Sequence, residues 1–188
     1  MNLPNIITIV RILLIPVFVV IFLMANTWSY LAAATLFALA AATDWLDGYL
    51  ARKLNQITPF GAFIDPVADK LIVVSALVIL IAHHNSIWLT LPSLVIIGRE
   101  IVISALREWM AEMNRSVTIA VSYLGKIKTT LQMVAITILL SYPPIIASLW
   151  VQGGYLMLYL AAVMTLWSMT QYLRAAWPSL RDGLSPKK

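Results

Sequence analysis

The chain has 188 residues, of which 61% are hydrophobic and 11% charged, with a formal net charge of +5. A soluble domain carries about 25% charged residues, so this composition excludes an ordinary soluble fold and describes an integral membrane protein. The absence of Cys excludes disulfides, thiolate zinc sites and a cysteine nucleophile. No nucleic-acid-binding module is visible, so the basic balance points to membrane topology and anionic headgroups.

Apolar runs recur along the whole chain and predict six helices, roughly 5–24, 29–53, 61–83, 87–113, 120–141 and 152–175. The first lacks a basic n-region and is interrupted early by Arg11, so it reads as a retained span rather than a cleaved signal. Pro16 lies inside it and predicts a kink. The connections Ala25–Trp28, His84–Ser86 and Ser141–Gly154 carry no Lys or Arg. The alternate ones are basic: Arg52 and Lys53, then Arg107, Arg115, Lys126 and Lys128, then Arg174, Arg181, Lys187 and Lys188. This alternation predicts six crossings with both termini cytoplasmic. Pro143-Pro144 and Gly153-Gly154 are expected to mark the last outer turn. No internal repeat appears, and residues 1–188 read as one membrane-embedded domain with a short polar tail over 178–188.

Four of the eight acidic residues fall between Asp44 and Asp69. An ionised carboxylate near lipid is costly, so such a group needs compensation. Asp44 and Asp47 are three apart, and Asp65 and Asp69 four apart, so each pair shares a helix face. Ile57-Thr58-Pro59-Phe60 is compatible with a helical hairpin that brings the two pairs together. Oxygen-only ligands suit two hard divalent cations, Mg²⁺, Mn²⁺ or Ca²⁺, and paired metals are an established arrangement for displacement at phosphorus. Gly48 and Ala51 leave room for a bulky ligand beside the backbone, and Arg52 is suited to a bidentate phosphate contact. The competing accounts are interfacial solvation of the aspartates, or a salt-bridge network with Arg52, Lys53 and Lys70.

The spacing Asp44-x2-Asp47-Gly48-x2-Ala51-Arg52-x8-Gly61-x3-Asp65-x3-Asp69 resembles the signature of the CDP-alcohol phosphotransferases at every fixed position. The likeness continues through Pro4-Asn5-Ile6-Ile7-Thr8-Ile9-Val10-Arg11, Arg99-Glu100, Ser104–Trp109 and Gly125–Thr129, which look like the members of that family that use glycerol 3-phosphate. The resemblance implies a six-helix, all-α membrane fold, a homodimer in the bacterial inner membrane, and a polar cavity open to the cytoplasm. It implies Mg²⁺ or Mn²⁺ as a pair, held by Asp44, Asp47 and Asp65. Asp69 would lie near the metals and act as general base. Gly48, Ala51, Arg52 and Gly61 would line the CDP site. The implied reaction moves the phosphatidyl group of CDP-diacylglycerol to an alcohol and releases CMP.

The acceptor is read from the cations. Arg107, Lys126 and Lys128 flank the connection after the fourth helix and are placed for the phosphate of glycerol 3-phosphate, although each alone reads equally as a positive-inside residue. Arg99 beside Glu100 is expected to form an internal ion pair, and Arg11 either to find a partner in the bundle or to meet substrate. His83 and His84 point in different directions and read as interfacial residues rather than chelators. Rival readings are a sister enzyme using phosphatidylglycerol, inositol phosphate or serine, a divalent-cation transporter, and an inactive helical scaffold.

Overall fold

The computed structural model describes residues 3–53, 58–112 and 123–183; within these ranges the side chains of 3–4, 44–53, 62, 123–126, 179 and 182–183 lie outside the described set. Six helices follow one another: α1 (Leu3–Leu23), α2 (Thr27–Lys53), α3 (Pro59–His84), α4 (Ile87–Glu112), α5 (Tyr123–Ser141) and α6 (Leu149–Gly183). The architecture is all-helical, as the apolar runs predict. α1, α4 and α6 contain segments long and apolar enough to cross a membrane, and α2 and α5 contain shorter apolar stretches at Thr27–Thr43 and Ile127–Ser141.

The helix ends have local causes. Thr58 caps α3 with an extended backbone, its Oγ1 accepting from the Gly61 amide at 3.0 Å, and Pro59 follows at the first helical position, where its missing N–H costs nothing. At the other end Asn85 adopts the left-handed conformation (φ 43°) and donates its N–H to the Ile81 carbonyl, closing α3 within two residues of α4. α1 runs unbroken through Pro16.

The core fills the middle of the bundle. Phe18 and Phe22 of α1, Phe37 of α2, Leu77 and Leu80 of α3, Ile96 of α4, Leu139 and Leu140 of α5 and Leu158 of α6 are all buried together. Outward from it, Leu13, Val20, Leu31, Val78, Leu94, Ile101, Leu156, Val163 and Trp167 are exposed apolar side chains. So broad an exposed apolar surface fits contact with hydrocarbon, not water. α1 packs extensively on both α2 and α3, whereas α2 and α3 have little direct contact. The two arms of the aspartate signature are therefore joined through α1 as well as through their own connection.

Two expectations require correction. The glycine pair does not mark the last outer turn. That turn spans 142–148, and Gly153 and Gly154 lie inside α6. A Cβ on Gly154 would sit 2.8 Å from the side chain of Leu139, so this glycine permits close approach of α6 to α5. The sixth helix also extends well past 175, through Pro178 to Gly183. Tyr172, Ala176 and Leu180 pack on Ile103, Leu106 and Met110 of α4, forming a second small core that holds the extension helical. The carbonyl that loses its amide partner at Pro178 belongs to exposed Arg174, where water can satisfy it. With 35 residues, α6 is about 52 Å long, well beyond the hydrocarbon thickness.

The opposite end is closed by side chains. His83 Nε2 is hydrogen-bonded to the Tyr30 hydroxyl at 2.9 Å and His84 Nδ1 to the Tyr155 hydroxyl at 3.0 Å. Each imidazole takes a different tyrosine, tying α3 to α2 and to α6, so the pair does not chelate. Both histidines do more than sit at an interface.

Candidate active site

The first turns of α3 are held by a polar stripe on α1. Asn5, Thr8 and Arg11 are spaced by three, so they follow one side of that helix. The Asn5 amide brackets the Thr58 hydroxyl, with Nδ2 donating to Oγ1 at 3.0 Å and Oδ1 accepting at 3.1 Å. Thr8 Oγ1 donates to Asp65 Oδ1 at 2.7 Å. Arg11 Nη1 donates to Asp69 Oδ1, also at 2.7 Å. Arg11 is 1% exposed while the Asp69 side chain is 45% exposed, so this ion pair runs from the core to an open wall. A charge buried that deeply in an apolar helix needs such a partner.

That wall bounds a cavity of about 350 Å³ between α3, α4 and α5. Asp69 and Lys70 line it from α3, Arg99 and Glu100 from α4, and Lys128, Thr129 and Gln132 from α5. Its charged lining is two carboxylates and three cations. Arg99 Nη1 donates to Glu100 Oε1 at 2.7 Å, which bears out the expected ion pair. Both partners nevertheless face the cavity, so the pair borders the site as well as bracing α4. Lys128 is 4% exposed. Arg99, Glu100 and Arg107 lie within electrostatic range of it.

The expected site residues divide into four groups. Asp65, Asp69 and Lys128 are described and lie around α3 and the cavity. Arg107 is exposed and does not line the cavity; its guanidinium stacks over the Tyr172 ring, 5.4 Å from the centroid. Asp44, Asp47, Gly48, Ala51 and Arg52 fall within helical α2, and Lys126 within α5, but their side chains lie outside the described residues. Gly61 is buried where α3 crosses α1, and a Cβ there would meet Asn5 Oδ1 at 2.8 Å and Thr58 Oγ1 at 3.2 Å. Since Asn5 is pinned by Thr58, Gly61→Ala is expected to destabilise the protein by about 1–3 kcal/mol, read as a lower midpoint of thermal unfolding in detergent. An unchanged midpoint would mean that Asn5 moves aside freely.

Sequence reasoning missed the Thr8–Asp65 contact and the cavity-facing position of Arg99. The period-three polar stripe in an apolar helix was the available signal for the first.

Among the described residues no group of three metal-binding side chains is assembled, since two of the four aspartates lie outside them. The α3 half fits a hard cation. It offers carboxylate oxygens from Asp65 and Asp69 one turn apart, and the two histidines sit at the far end of the helix.

A profile described as CDP-alcohol phosphatidyltransferase matches residues 1–168. The chain belongs to that family. A CDP-diacylglycerol–glycerol-3-phosphate 3-phosphatidyltransferase of Pseudomonas fluorescens is 59% identical to this family member over 186 residues, 97% of this chain and 94% of the relative. A protein of the same name from Escherichia coli is 53% identical over 182 residues, covering 96% of this chain and 98% of its own length. Another so named, from Shigella flexneri serotype 5b, is also 53% identical over 182 residues. Metal dependence is general in the family.

Proposed function

We infer that this phosphatidyltransferase moves the phosphatidyl group of CDP-diacylglycerol to a hydroxyl of glycerol 3-phosphate, yielding phosphatidylglycerophosphate and CMP. The observation that carries this reading is a carboxylate, Asp69, sharing one cavity with three cations. An alcohol that itself bears a phosphate needs both: a base at its hydroxyl and positive charge at its phosphate. Near-full-length likeness to relatives that bear this activity in their names supports the same conclusion. Serine, which has no phosphate dianion, would make less use of the positive charge of Lys128 and Arg99.

In the proposed reaction the acceptor phosphate rests against Lys128 and Arg99, with Arg107 and Lys126 adding charge at the cytoplasmic rim. Its hydroxyl gives up a proton to Asp69 as the new oxygen–phosphorus bond forms. The bond between that phosphorus and the diphosphate bridge breaks, and CMP leaves with the electron pair. Two divalent cations, Mg²⁺ or Mn²⁺, held by Asp44, Asp47 and Asp65 beside Asp69, would supply charge stabilisation for the diphosphate and the departing CMP. Gly48, Ala51 and Arg52 on α2 line the nucleotide side, whereas Gly61 lets α3 pack closely on Asn5 of α1. Holding both substrates in one cavity removes much of the entropic barrier.

The whole chain is taken as one catalytic domain crossing the bacterial inner membrane six times, with its active site and both termini cytoplasmic, and acting as a homodimer. The positive-inside pattern and the exposed apolar belt support that topology.

Purified protein given CDP-diacylglycerol, Mg²⁺ and glycerol 3-phosphate is expected to release CMP, and to stop when the metal is chelated. Faster release with serine, inositol phosphate or phosphatidylglycerol in place of glycerol 3-phosphate would overturn the acceptor assignment.

A further inference from the structure

The polar stripe on α1 touches neither the cavity nor solvent, yet each of its members grips the start of α3. α1 and α3 run in the same direction here, because α2 returns the chain between them. The pairs therefore advance together: Asn5 with Thr58, Thr8 with Asp65, Arg11 with Asp69. We propose that Thr8 and Arg11 are positioning residues, holding the carboxylates of Asp65 and Asp69 in their working orientation from the side away from the substrate.

Three observations carry this, and it rests on the reaction proposed above. First, Arg11 is buried and Asp69 is half exposed, so the guanidinium approaches the acid from behind and stays clear of the cavity that Asp69 lines. Arg11 thus does not border the cavity that would take the acceptor. Second, each contact engages one named oxygen, Oδ1, of its carboxylate. A bond to one oxygen restricts rotation of the whole group, and a displacement of about 1 Å at a reacting centre costs about 10²-fold in rate. Third, the two donors differ in charge. Thr8 orients Asp65 with a neutral hydroxyl and leaves the full carboxylate charge in place, as a cation ligand needs. Arg11 places a fixed charge against Asp69, which binds it more tightly and more directionally. The stripe also lies on the helix that, among the described residues, packs most extensively against both α2 and α3.

The test combines kinetics with a stability cycle, using the full chain in detergent or lipid nanodiscs. Arg11→Gln is expected to lower kcat by at least about 10-fold while both KM values stay within about 3-fold, with Arg11→Lys intermediate. Thr8→Val is expected to lower kcat and Thr8→Ser to restore it. Unfolding midpoints of Arg11→Gln, Asp69→Asn and the double variant are expected to be strongly non-additive, because each single change removes one charge of the same ion pair. Additive midpoints would overturn the proposal. So would an Arg11→Lys enzyme with normal kcat and a KM for glycerol 3-phosphate raised more than about 10-fold, which would make Arg11 a substrate ligand. Should Arg11→Gln fail to fold, Arg11→Lys and the two Thr8 variants carry the same test. A coupled cycle in a wild-type protein that releases no CMP would instead sink the assigned reaction and leave the ion pair standing.

Discussion

Asp69→Asn is expected to bind CDP-diacylglycerol and to release almost no CMP. The amide is nearly isosteric with the carboxylate and still offers an oxygen to Arg11 Nη1, so the local geometry can persist. It cannot take the proton of the attacking hydroxyl. General-base catalysis contributes about 10²–10⁴-fold, so kcat should fall by at least about 100-fold while the KM for the donor changes by less than about 3-fold. The substitution also removes the counter-charge of a guanidinium that is 1% exposed. Breaking a buried pair costs about 3–5 kcal/mol, and the half-exposed position of Asp69 reduces that figure through solvent screening. Donor binding and the unfolding midpoint therefore need to be measured beside the rate. A folded Asp69→Asn protein with near-normal turnover would remove Asp69 from the mechanism.

The second large effect is expected at Lys128. The residue is 4% exposed and lines the cavity, with Arg99, Glu100 and Arg107 within electrostatic range. The Glu100 carboxylate is already paired with Arg99, so an arriving phosphate meets more than one cation and can take a charge-assisted hydrogen bond from Lys128. A hydrogen bond to a charged group contributes about 1.5–3 kcal/mol, which corresponds to about 10–150-fold in affinity. Lys128→Met should therefore raise the KM for glycerol 3-phosphate by about that factor and leave the KM for CDP-diacylglycerol within about 3-fold. Methionine keeps the length and the apolar stem, so the filled volume is retained. Equal changes in both KM values would show that Lys128 supports the cavity as a whole and does not read the acceptor.

The structure also ranks the acceptor cations in a way that charge counting along the chain does not. Arg107, Lys126 and Lys128 stand together in sequence near the fourth connection. Of the two that are described, Lys128 turns into the cavity and Arg107 lies outside on Tyr172. Arg99, assigned only an ion pair from its neighbour Glu100, borders the same cavity. The difference is level along α4. Near its C-terminal end Ile103, Leu106 and Met110 pack against α6, and Arg107 there lies over Tyr172. Arg99 is eight residues, about 12 Å, earlier on the helix, where α3 and α5 border the cavity.

The histidines at the far end make a similar point. Read along the chain they are adjacent polar residues at a helix terminus. In the fold each is engaged by a tyrosine from a different helix, and Phe22 packs edge-on against His83 with ring centroids 5.0 Å apart. Tyr30 and Tyr155 belong to α2 and α6, so no local pattern around His83 announces them.

What the amino-acid order determined unaided was the number of helices, their approximate limits, and the pairing of aspartates along single helices. All of these are local. Apolar length sets a span, and a spacing of three or four residues sets a shared face, whatever lies beside the helix. The tertiary structure alone decided that α1 stands between the two arms of the signature, that Arg11 and Thr8 hold the α3 carboxylates, that Lys128 and Arg99 border one cavity, and that α6 continues past Pro178. Each of these depends on the rotation of one helix about its axis relative to another. That rotation is settled by side-chain packing between segments far apart in the chain, such as Phe18 against Phe37 or Gly154 against Leu139, and no spacing within a single helix encodes it.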